Sequence, residues 1–345
     1  MKKKWIRNIS LLFLTVFFLY FFFKSVDWKE VSSYLININV IFFILIIVTV
    51  PTQYIFRIIR WQFLLKQEKE KVSFYNRFAA ISIGFAVSQF IPGRLGELVR
   101  PLYLAQKEEM KKGFVIGTIV VERIFDIFSM CFLLGLFLLV KPVNFTSAGA
   151  EKDIYSKLSY WGIGGFVFAS FILIFSLCLY FFKDKTLSLF SFVFKLFPEK
   201  FSKKILTLID DFIKGLKFFH SWSSFFLYII FSLLVWLWII FYYWLFFLAF
   251  NISIPYFFLF PYVFLLMIGA AIPTPGMIGG YDYFSKFGLT TFFKIDANLA
   301  VGMTMVVHAV QVAVICLIGY IVLWKEGLSL FKLKNYREMA DDINK

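Results

Sequence analysis

Residues 91–97 read Ile91-Pro92-Gly93-Arg94-Leu95-Gly96-Glu97 and directly follow an apolar segment over residues 74–91. Residues 272–280 read Ile272-Pro273-Thr274-Pro275-Gly276-Met277-Ile278-Gly279-Gly280 and follow a second such segment, 257–272. Proline removes a backbone donor and glycine adopts left-handed conformations, so a helix ends at each stretch. Both apolar segments are shorter than the roughly 20 residues that cross a ~30 Å hydrocarbon core. Each therefore predicts one arm of a re-entrant helical hairpin rather than a full span.

The rest of the chain has the composition of a membrane protein. Of its 345 residues, 61% are hydrophobic and 22% aromatic, and the mean hydropathy is +0.80. A soluble domain is about 45–50% apolar, so the excess must face lipid. We predict an all-α polytopic membrane protein, a single integral membrane domain over 1–345 with about six full transmembrane helices and two re-entrant helical hairpins. The predicted spans are 6–23, 38–57, 114–140, 160–182, 224–249 and 297–324.

The distribution of basic residues predicts the orientation. The formal net charge is +15, yet Lys and Arg occupy short segments between apolar spans instead of one basic domain. This pattern predicts no nucleic-acid partner and favours contact with anionic lipid headgroups. By the positive-inside rule, both termini are cytoplasmic and the protein lies in the cell (inner) membrane. The predicted cytoplasmic segments are 58–73, 106–113, 183–222 and the tail 326–345, and the outer loops are 24–37, 141–159 and 250–256.

The two Pro-Gly motifs belong to an internal repeat. Pro92-Gly93-x-x-Gly96 and Pro275-Gly276-x-x-Gly279 each lie between a long span upstream and another downstream. The first copy enters from the cytoplasm and the second from outside, which predicts an inverted-topology repeat with half-repeats 31–140 and 223–325. Between them, 183–222 is a cytoplasmic linker whose residues 202–219 are predicted to form an amphipathic helix on the inner leaflet.

The first turn carries the charged residues Arg94, Glu97 and Arg100. Non-helical backbone at membrane depth is tolerated where protein buries it or water reaches it, so we expect both turns to line a cavity. Glycine allows a ligand to approach the backbone, and two arginine side chains suit a lipid phosphate. These residues are therefore candidates for substrate binding. Alternatively, Glu97 pairs with Arg94 or Arg100 and neutralises the turn at the interface.

A second group of charges opens the span 114–140, at Glu122, Arg123 and Asp126. Arg123 and Asp126 lie three residues apart on one helical face, so a structural ion pair and substrate contact are equally consistent with the pattern. Asp282 after the second turn and His308 in the last span are further candidates for substrate binding. The alternative for the histidine is a hydrogen-bonded packing role.

No catalytic, metal or cofactor site is predicted. Cys131, Cys178 and Cys316 lie within apolar spans without paired spacing. The sequence contains no nucleotide-binding loop, zinc-protease motif or hydrolase nucleophile motif.

Taken in order, these motifs resemble the lysylphosphatidylglycerol synthase transmembrane-region family, also called the flippase-like domain family. The resemblance covers nearly the whole chain and is carried by Arg60-Trp61, Pro92-Gly93-Arg94-Leu95-Gly96-Glu97-Leu98-Val99-Arg100, Glu122-Arg123-Ile124-Phe125-Asp126, Pro275-Gly276-Met277-Ile278-Gly279 and His308. This chain has Asp282 where the second turn of the family more often has Glu, and Met277 where Gly is frequent. The resemblance implies a lipid translocase fold.

Residues and resemblance together predict a translocase that moves an anionic or aminoacylated lipid headgroup between leaflets. The predicted partner is a phospholipid or a polyprenyl-phosphate lipid, and a lipid-modifying enzyme or a second copy of the chain are further partners. One alternative is that the protein is a phosphatidylglycerol lysyltransferase or the membrane subunit of one. The resemblance implies this name, because members of the family are named for that activity. About twenty residues follow the last span, so no soluble transferase domain is expected in this chain. The other alternative is a membrane scaffold for a polyprenyl-phosphate glycosyltransferase.

The charge pattern makes a topological prediction. Cysteines introduced at Lys69 and Lys111 should both react with an impermeant thiol reagent only from the cytoplasm, and one at Thr146 only from outside. Labelling of positions 69 and 111 from opposite sides would contradict both the re-entrant hairpin and the inverted repeat.

Overall fold

The computed structural model describes residues 13, 15–24, 26–90, 95–140 and 222–328, with scattered residues between 160 and 182. Within this part of the chain every regular element is helical. The α-helices are α1 (Trp28–Ile36), α2 (Val40–Leu65), α3 (Phe74–Phe90), α4 (Gly96–Lys107), α5 (Lys112–Val140), α6 (Trp222–Ala249), α7 (Leu259–Ala271), α8 (Gly280–Phe292) and α9 (Ala297–Lys325). Short 3-10 helices occupy Tyr256–Phe258 and Pro275–Met277, and residues 15–23 are also helical.

Most predicted apolar segments coincide with helices. α2, α5, α6 and α9 occupy four of the predicted spans, and α3 and α7 occupy the two short segments before the Pro-Gly motifs. Among the described residues, three helices are long and apolar enough to cross a membrane, at Val40–Leu65, Ser223–Ala249 and Ala297–Lys325. The all-α membrane fold is therefore confirmed, while the count of six spans stays a prediction. The predicted linker before residue 222 and the tail beyond residue 328 lie outside the described residues.

The predicted outer segment 24–37 contains a short helix, α1, that the sequence analysis did not predict. The Asp27 side chain accepts hydrogen bonds from the amides of Lys29 and Glu30 and so caps the first turn. A side-chain cap of this kind stabilises a short helix by about 1 kcal/mol. An aspartate before Trp28 is a helix-start signal in the sequence, although no long apolar run follows it.

Helix α2 is longer than predicted. It continues from the predicted end at residue 57 to Leu65, and its second half is buried on one side. Arg60, which the sequence groups with the cytoplasmic segment 58–73, is 0% exposed. This arginine therefore belongs to the protein interior rather than to a basic loop.

The two Pro-Gly motifs each separate a pair of short helices that pack on each other, α3 with α4 and α7 with α8. Glycine permits the closest contact in both pairs. A side chain on Gly96 would overlap the carbonyl oxygen of Gly84, and a Cβ on Gly280 would lie 2.8 Å from the carbonyl oxygen of Gly269. Close packing at these distances leaves no room for a larger residue, so one glycine pair closes each hairpin.

Glu108, which follows α4, clasps the open ends of the first hairpin together. Its carboxylate accepts hydrogen bonds from the Ser73 amide and the Asn76 side chain, and it pairs with Lys69. Burial pushes the pKa of Glu108 up, but these three partners outweigh burial and hold the pKa below its ordinary value of 4.5. The carboxylate is therefore ionised at neutral pH, and the start of α3 stays beside the end of α4.

Two further contacts extend this end of the molecule. The amide of Lys111 donates to Glu68, and Lys107 pairs with Glu326 directly after α9. Three segments that the sequence predicts to be cytoplasmic thus lie together.

Two of the predicted outer segments, 24–37 and 250–256, meet at the other end of the long helices. The Asn298 side chain accepts from the Asp27 amide and donates to Glu30, which ties α1 to the start of α9. The Asn251 side chain donates to the Asn37 carbonyl and so holds the end of α6 beside the start of α2.

The second hairpin and α9 pack directly against the first hairpin. A Cβ on Gly319 of α9 would lie 3.1 Å from the Ser82 carbonyl oxygen of α3. The turn at Pro275–Met277 rests on the end of α3, where a Cβ on Gly276 would be 3.3 Å from the carbonyl oxygen of Gln89. These contacts hold the two predicted half-repeats against each other.

Candidate functional site

Four arginines and three carboxylates meet where α2, α4 and α5 converge. Arg57 and Arg60 lie one turn apart on α2, so both point to the same side of that helix. The other members are Glu97 and Arg100 on α4, and Glu122, Arg123 and Asp126 on α5. Apart from Glu97 and Arg123, whose side chains are about one third exposed, the members are buried.

The Glu122 carboxylate is the centre of this network. Arg100 donates to both of its oxygens, at 2.8 and 3.0 Å. Arg123 donates to Oε1 at 2.8 Å, and Nη2 of Arg60 lies 3.1 Å from the same oxygen. The Arg100 guanidinium also stacks 4.0 Å from the ring of Trp61. A buried carboxylate is tolerated only with such compensation, because desolvation of an ion costs several kcal/mol.

Asp126 joins the network to the second half of the chain. Its Oδ1 accepts from Arg60 at 2.6 Å and from the indole N–H of Trp236 on α6 at 3.3 Å. Its Oδ2 lies 3.3 Å from Nη2 of Arg123, one turn earlier on α5. The ion pair that the sequence offered for Arg123 and Asp126 is therefore present.

Arg57 lacks a close charged partner. Its nearest carboxylate oxygen, Glu122 Oε1, is 3.9 Å away and is already shared by the other three arginines. Its Nε and Nη1 are buried and make no hydrogen bond, and its guanidinium lies 5.3 Å from the ring centroid of Phe85. Since four guanidinium groups face three carboxylates, the described part of the site keeps one uncompensated positive charge.

This charge faces a cavity of about 540 Å³. The wall combines residues of α2 to α5 with residues of α6 to α9 and of the second Pro-Gly turn, so the cavity lies between the predicted half-repeats. Arg57, Arg123 and Asp126 form its charged side, and Thr274 and Gln311 contribute polar groups from the second half. A volume of this size is typical of a small-molecule site and is sufficient for a lipid headgroup.

A second polar cluster holds the turn before α8. His308 places Nδ1 2.6 Å from Asp282 Oδ1 and Nε2 2.9 Å from the Gly276 carbonyl oxygen. Asp282 also accepts from the Gly279 amide at 2.8 Å. The φ angles of Gly276, Met277 and Gly279 are +58°, +62° and +91°, so the turn occupies left-handed conformations that need such support. Met277 has a left-handed backbone conformation, which glycine adopts without steric cost, so glycine suits this position.

The predicted site residues occupy different parts of the structure. Glu97, Arg123 and Asp126 line the cavity, whereas Arg100 and Glu122 are buried behind that wall. Glu97 faces Arg123 at 3.9 Å rather than pairing with Arg100. Asp282 and His308 brace the second turn with Gly276 and Gly279, and neither lines the cavity. Gly96 closes the first hairpin, and Pro92, Gly93 and Arg94 lie outside the described residues.

Sequence reasoning missed Arg57 and Trp236. Arg57 stood at the predicted end of a span, although the apolar residues Trp61, Leu64 and Leu65 continue the helical period beyond it. That period, together with two arginines three residues apart, was the available signal for a charged helix face. Trp236 gave no such signal, because a tryptophan within an apolar span is usually a packing residue.

Comparison with known proteins identifies the family. The sequence profile described as "Lysylphosphatidylglycerol synthase TM region" matches residues 8–319 of this chain. The chain belongs to this family. It is also similar to the UPF0104 membrane protein MJ1595 of Methanocaldococcus jannaschii, with 25% identity over 237 residues, or 64% of this chain and 65% of that relative. The matched region thus spans about two thirds of the relative's length. No solved structure gives a significant match.

The family match includes every residue of the charge network, and it confirms the resemblance that the sequence motifs indicated. The family description names the membrane region of a synthase and assigns that region no activity of its own.

The charge balance predicts opposite effects of the same substitution one helical turn apart. Arg60→Gln should destabilise the protein by about 3–5 kcal/mol, because it leaves two buried carboxylates short of a partner. Arg57→Gln should be nearly neutral or stabilising, because it removes a buried charge that has no close partner. Denaturant unfolding of the purified variants in mixed micelles measures both effects. Equal losses of stability would show that Arg57 is a full member of the ion network.

Proposed function

We propose that this protein is a lipid translocase that moves the headgroup of a phosphate-bearing lipid between leaflets. The observation that carries the proposal is Arg57, a buried guanidinium without a close partner that faces a cavity between the two halves of the chain. A lipid phosphate supplies the missing negative charge, and charge-assisted hydrogen bonds to Arg are strong. The sequence placed the phosphate at Arg94 and Arg100. We now place it at Arg57, because Arg100 is bound by Glu122.

The same proposal includes the inverted repeat. The hairpins α3–α4 and α7–α8 are proposed to be re-entrant, one in each of the halves 31–140 and 223–325. The clasp at Glu108 supports this for the first hairpin, since it holds the entry and exit of the hairpin together. A substrate cavity between two such halves is the arrangement that alternating access requires.

The orientation in the membrane is proposed from the charges. The basic segments around Lys69, Lys107 and Lys111 meet at one end of the molecule together with the residue that follows α9. Placing that end in the cytoplasm obeys the positive-inside rule. It also puts both termini on the cytoplasmic side of the cell membrane. The uncompensated charge of Arg57 would then attract a headgroup inward from either leaflet.

The family description favours a second function, lysyl transfer onto phosphatidylglycerol by this chain or with a partner enzyme. Such a transfer requires a general base near the reacting carbonyl. The two carboxylates on the described cavity wall, Glu97 and Asp126, each face an arginine, which weakens a carboxylate as a base. We therefore favour translocation, with a lipid-modifying enzyme as a partner rather than as an activity of the cavity.

The proposal predicts a transport defect that is separate from folding. In proteoliposomes with fluorescent phosphatidylglycerol, Arg57→Gln should slow exchange between leaflets about tenfold to hundredfold, as expected for the loss of a charge-assisted hydrogen bond. Lys66→Gln, at the exposed end of the same helix, is the matched control and should exchange lipid at the normal rate. Normal exchange by a folded Arg57→Gln variant would contradict the proposed function.

A further inference from the structure

Among the described residues, three uncharged side chains on the cavity wall have a buried polar atom without a hydrogen-bond partner. Oε1 of Gln89, Oε1 of Gln311 and Oγ1 of Thr274 are buried and make no hydrogen bond within the described residues. All three side chains line the cavity, from α3, from α9 and from the second Pro-Gly turn. A buried polar atom without a partner costs free energy, so three of them facing one space point to a ligand that completes them.

The chemistry of these groups defines what the ligand must offer. An amide presents both donors and an acceptor, and it can rotate to exchange them. The threonine hydroxyl likewise donates or accepts. A hydroxyl group matches each of the three, because it also donates and accepts. The set therefore suits a headgroup with several hydroxyl groups better than one with a single charged end.

The charges of the network disfavour a cationic headgroup. Both carboxylates on the described cavity wall already face arginines, Asp126 with Arg60 at 2.6 Å and Glu97 with Arg123 at 3.9 Å. Oδ2 of Asp126 makes no hydrogen bond, but it lies 3.3 Å from Nη2 of Arg123. An ammonium group would therefore compete with that arginine, and it would be repelled by Arg57. Aromatic rings also attract cations, and besides Phe85 the cavity wall contains Trp236, Trp238, Tyr242, Tyr243 and Tyr281, so the selection against a cation rests on the charges alone. The charge balance of the arginines and carboxylates thus selects against a headgroup with net positive charge.

We propose that the translocated lipid carries an uncharged, polyhydroxylated group on its phosphate, such as glycerol or a sugar, and that Gln89, Gln311 and Thr274 read its hydroxyls. This inference rests on the proposed translocase function and narrows it. The phosphate binds at Arg57, and the hydroxyls bind at the other three residues of the cavity wall. An aminoacyl ester such as lysyl-phosphatidylglycerol is a poor substrate, although the family description contains that lipid.

The test compares lipids that share acyl chains and differ only in the headgroup. Phosphatidylglycerol and phosphatidylmethanol carry the same negative charge, but only the first has free hydroxyls. Lysyl-phosphatidylglycerol adds a net positive headgroup. In proteoliposomes, phosphatidylglycerol and phosphatidylinositol should exchange about threefold to tenfold faster than phosphatidylmethanol, as expected for one neutral hydrogen bond or two. Lysyl-phosphatidylglycerol should exchange more slowly than phosphatidylglycerol.

Variants assign the preference to the three residues. Gln311→Leu, Gln89→Leu and the isosteric Thr274→Val should each lower the ratio of the phosphatidylglycerol rate to the phosphatidylmethanol rate toward one. Gln67→Leu, in the turn after α2, is the control and should keep the full preference. Variants that slow all lipids equally would show that these residues shape the cavity without reading hydroxyls.

The outcomes separate this inference from the proposed function. Faster exchange of lysyl-phosphatidylglycerol than of phosphatidylglycerol would overturn the inference and leave translocation intact. Exchange of all lipids at the rate of protein-free vesicles would overturn both.

Discussion

A single carboxylate oxygen, Oε1 of Glu122, holds three guanidinium groups within 3.1 Å in the interior of the protein. In a low-dielectric interior none of these ions is stable alone, so each depends on the others being in place. Because the arginines come from α2, α4 and α5, the carboxylate fixes how the first hairpin sits against the two long helices. Asp126 extends the constraint to α6 through Trp236.

The surplus charge follows from this arrangement. Oε1 of Glu122 already has three close partners, and Arg57 stays 3.9 Å from it and lines the cavity. Retaining an uncompensated buried cation lowers stability, and such a cost is typical of functional sites. The second half of the chain supplies the opposite wall, where the turn braced by His308 and Asp282 places Thr274 beside the cavity. This charge and the unpaired polar groups of the cavity wall are the basis for the proposed binding of an amphiphilic anion.

The sequence predicted the features that depend on local chemistry. The helices α3 and α7 end at the proline and glycine residues, as expected. Proline lacks a backbone N–H donor whatever packs against it, so its effect is local. The ion pair of Arg123 and Asp126 was offered as one of two alternatives, since residues three apart meet on any helix. The short helix α1 was overlooked because its Asp27 cap lies in a region without a long apolar run.

Features that depend on contacts among several helices could not be predicted from the sequence. The role of Arg57 emerges only from the count of partners around Glu122, and these come from three different helices. Asp282 and His308 were candidates for substrate binding, with a hydrogen-bonded packing role as the alternative for the histidine. In the structure they pair with each other and bind the backbone of a left-handed turn, and no local pattern contains this pairing between residues 26 positions apart.

The most direct measurement of the central claim is an electron cryo-microscopy structure of the protein in nanodiscs that contain phosphatidylglycerol. The account predicts phosphate density in the cavity within hydrogen-bonding distance of the Arg57 guanidinium, with Glu122 still bound to the other three arginines. A cavity without phosphate density, with the Arg57 guanidinium bonded to Glu122 or Asp126, would contradict it.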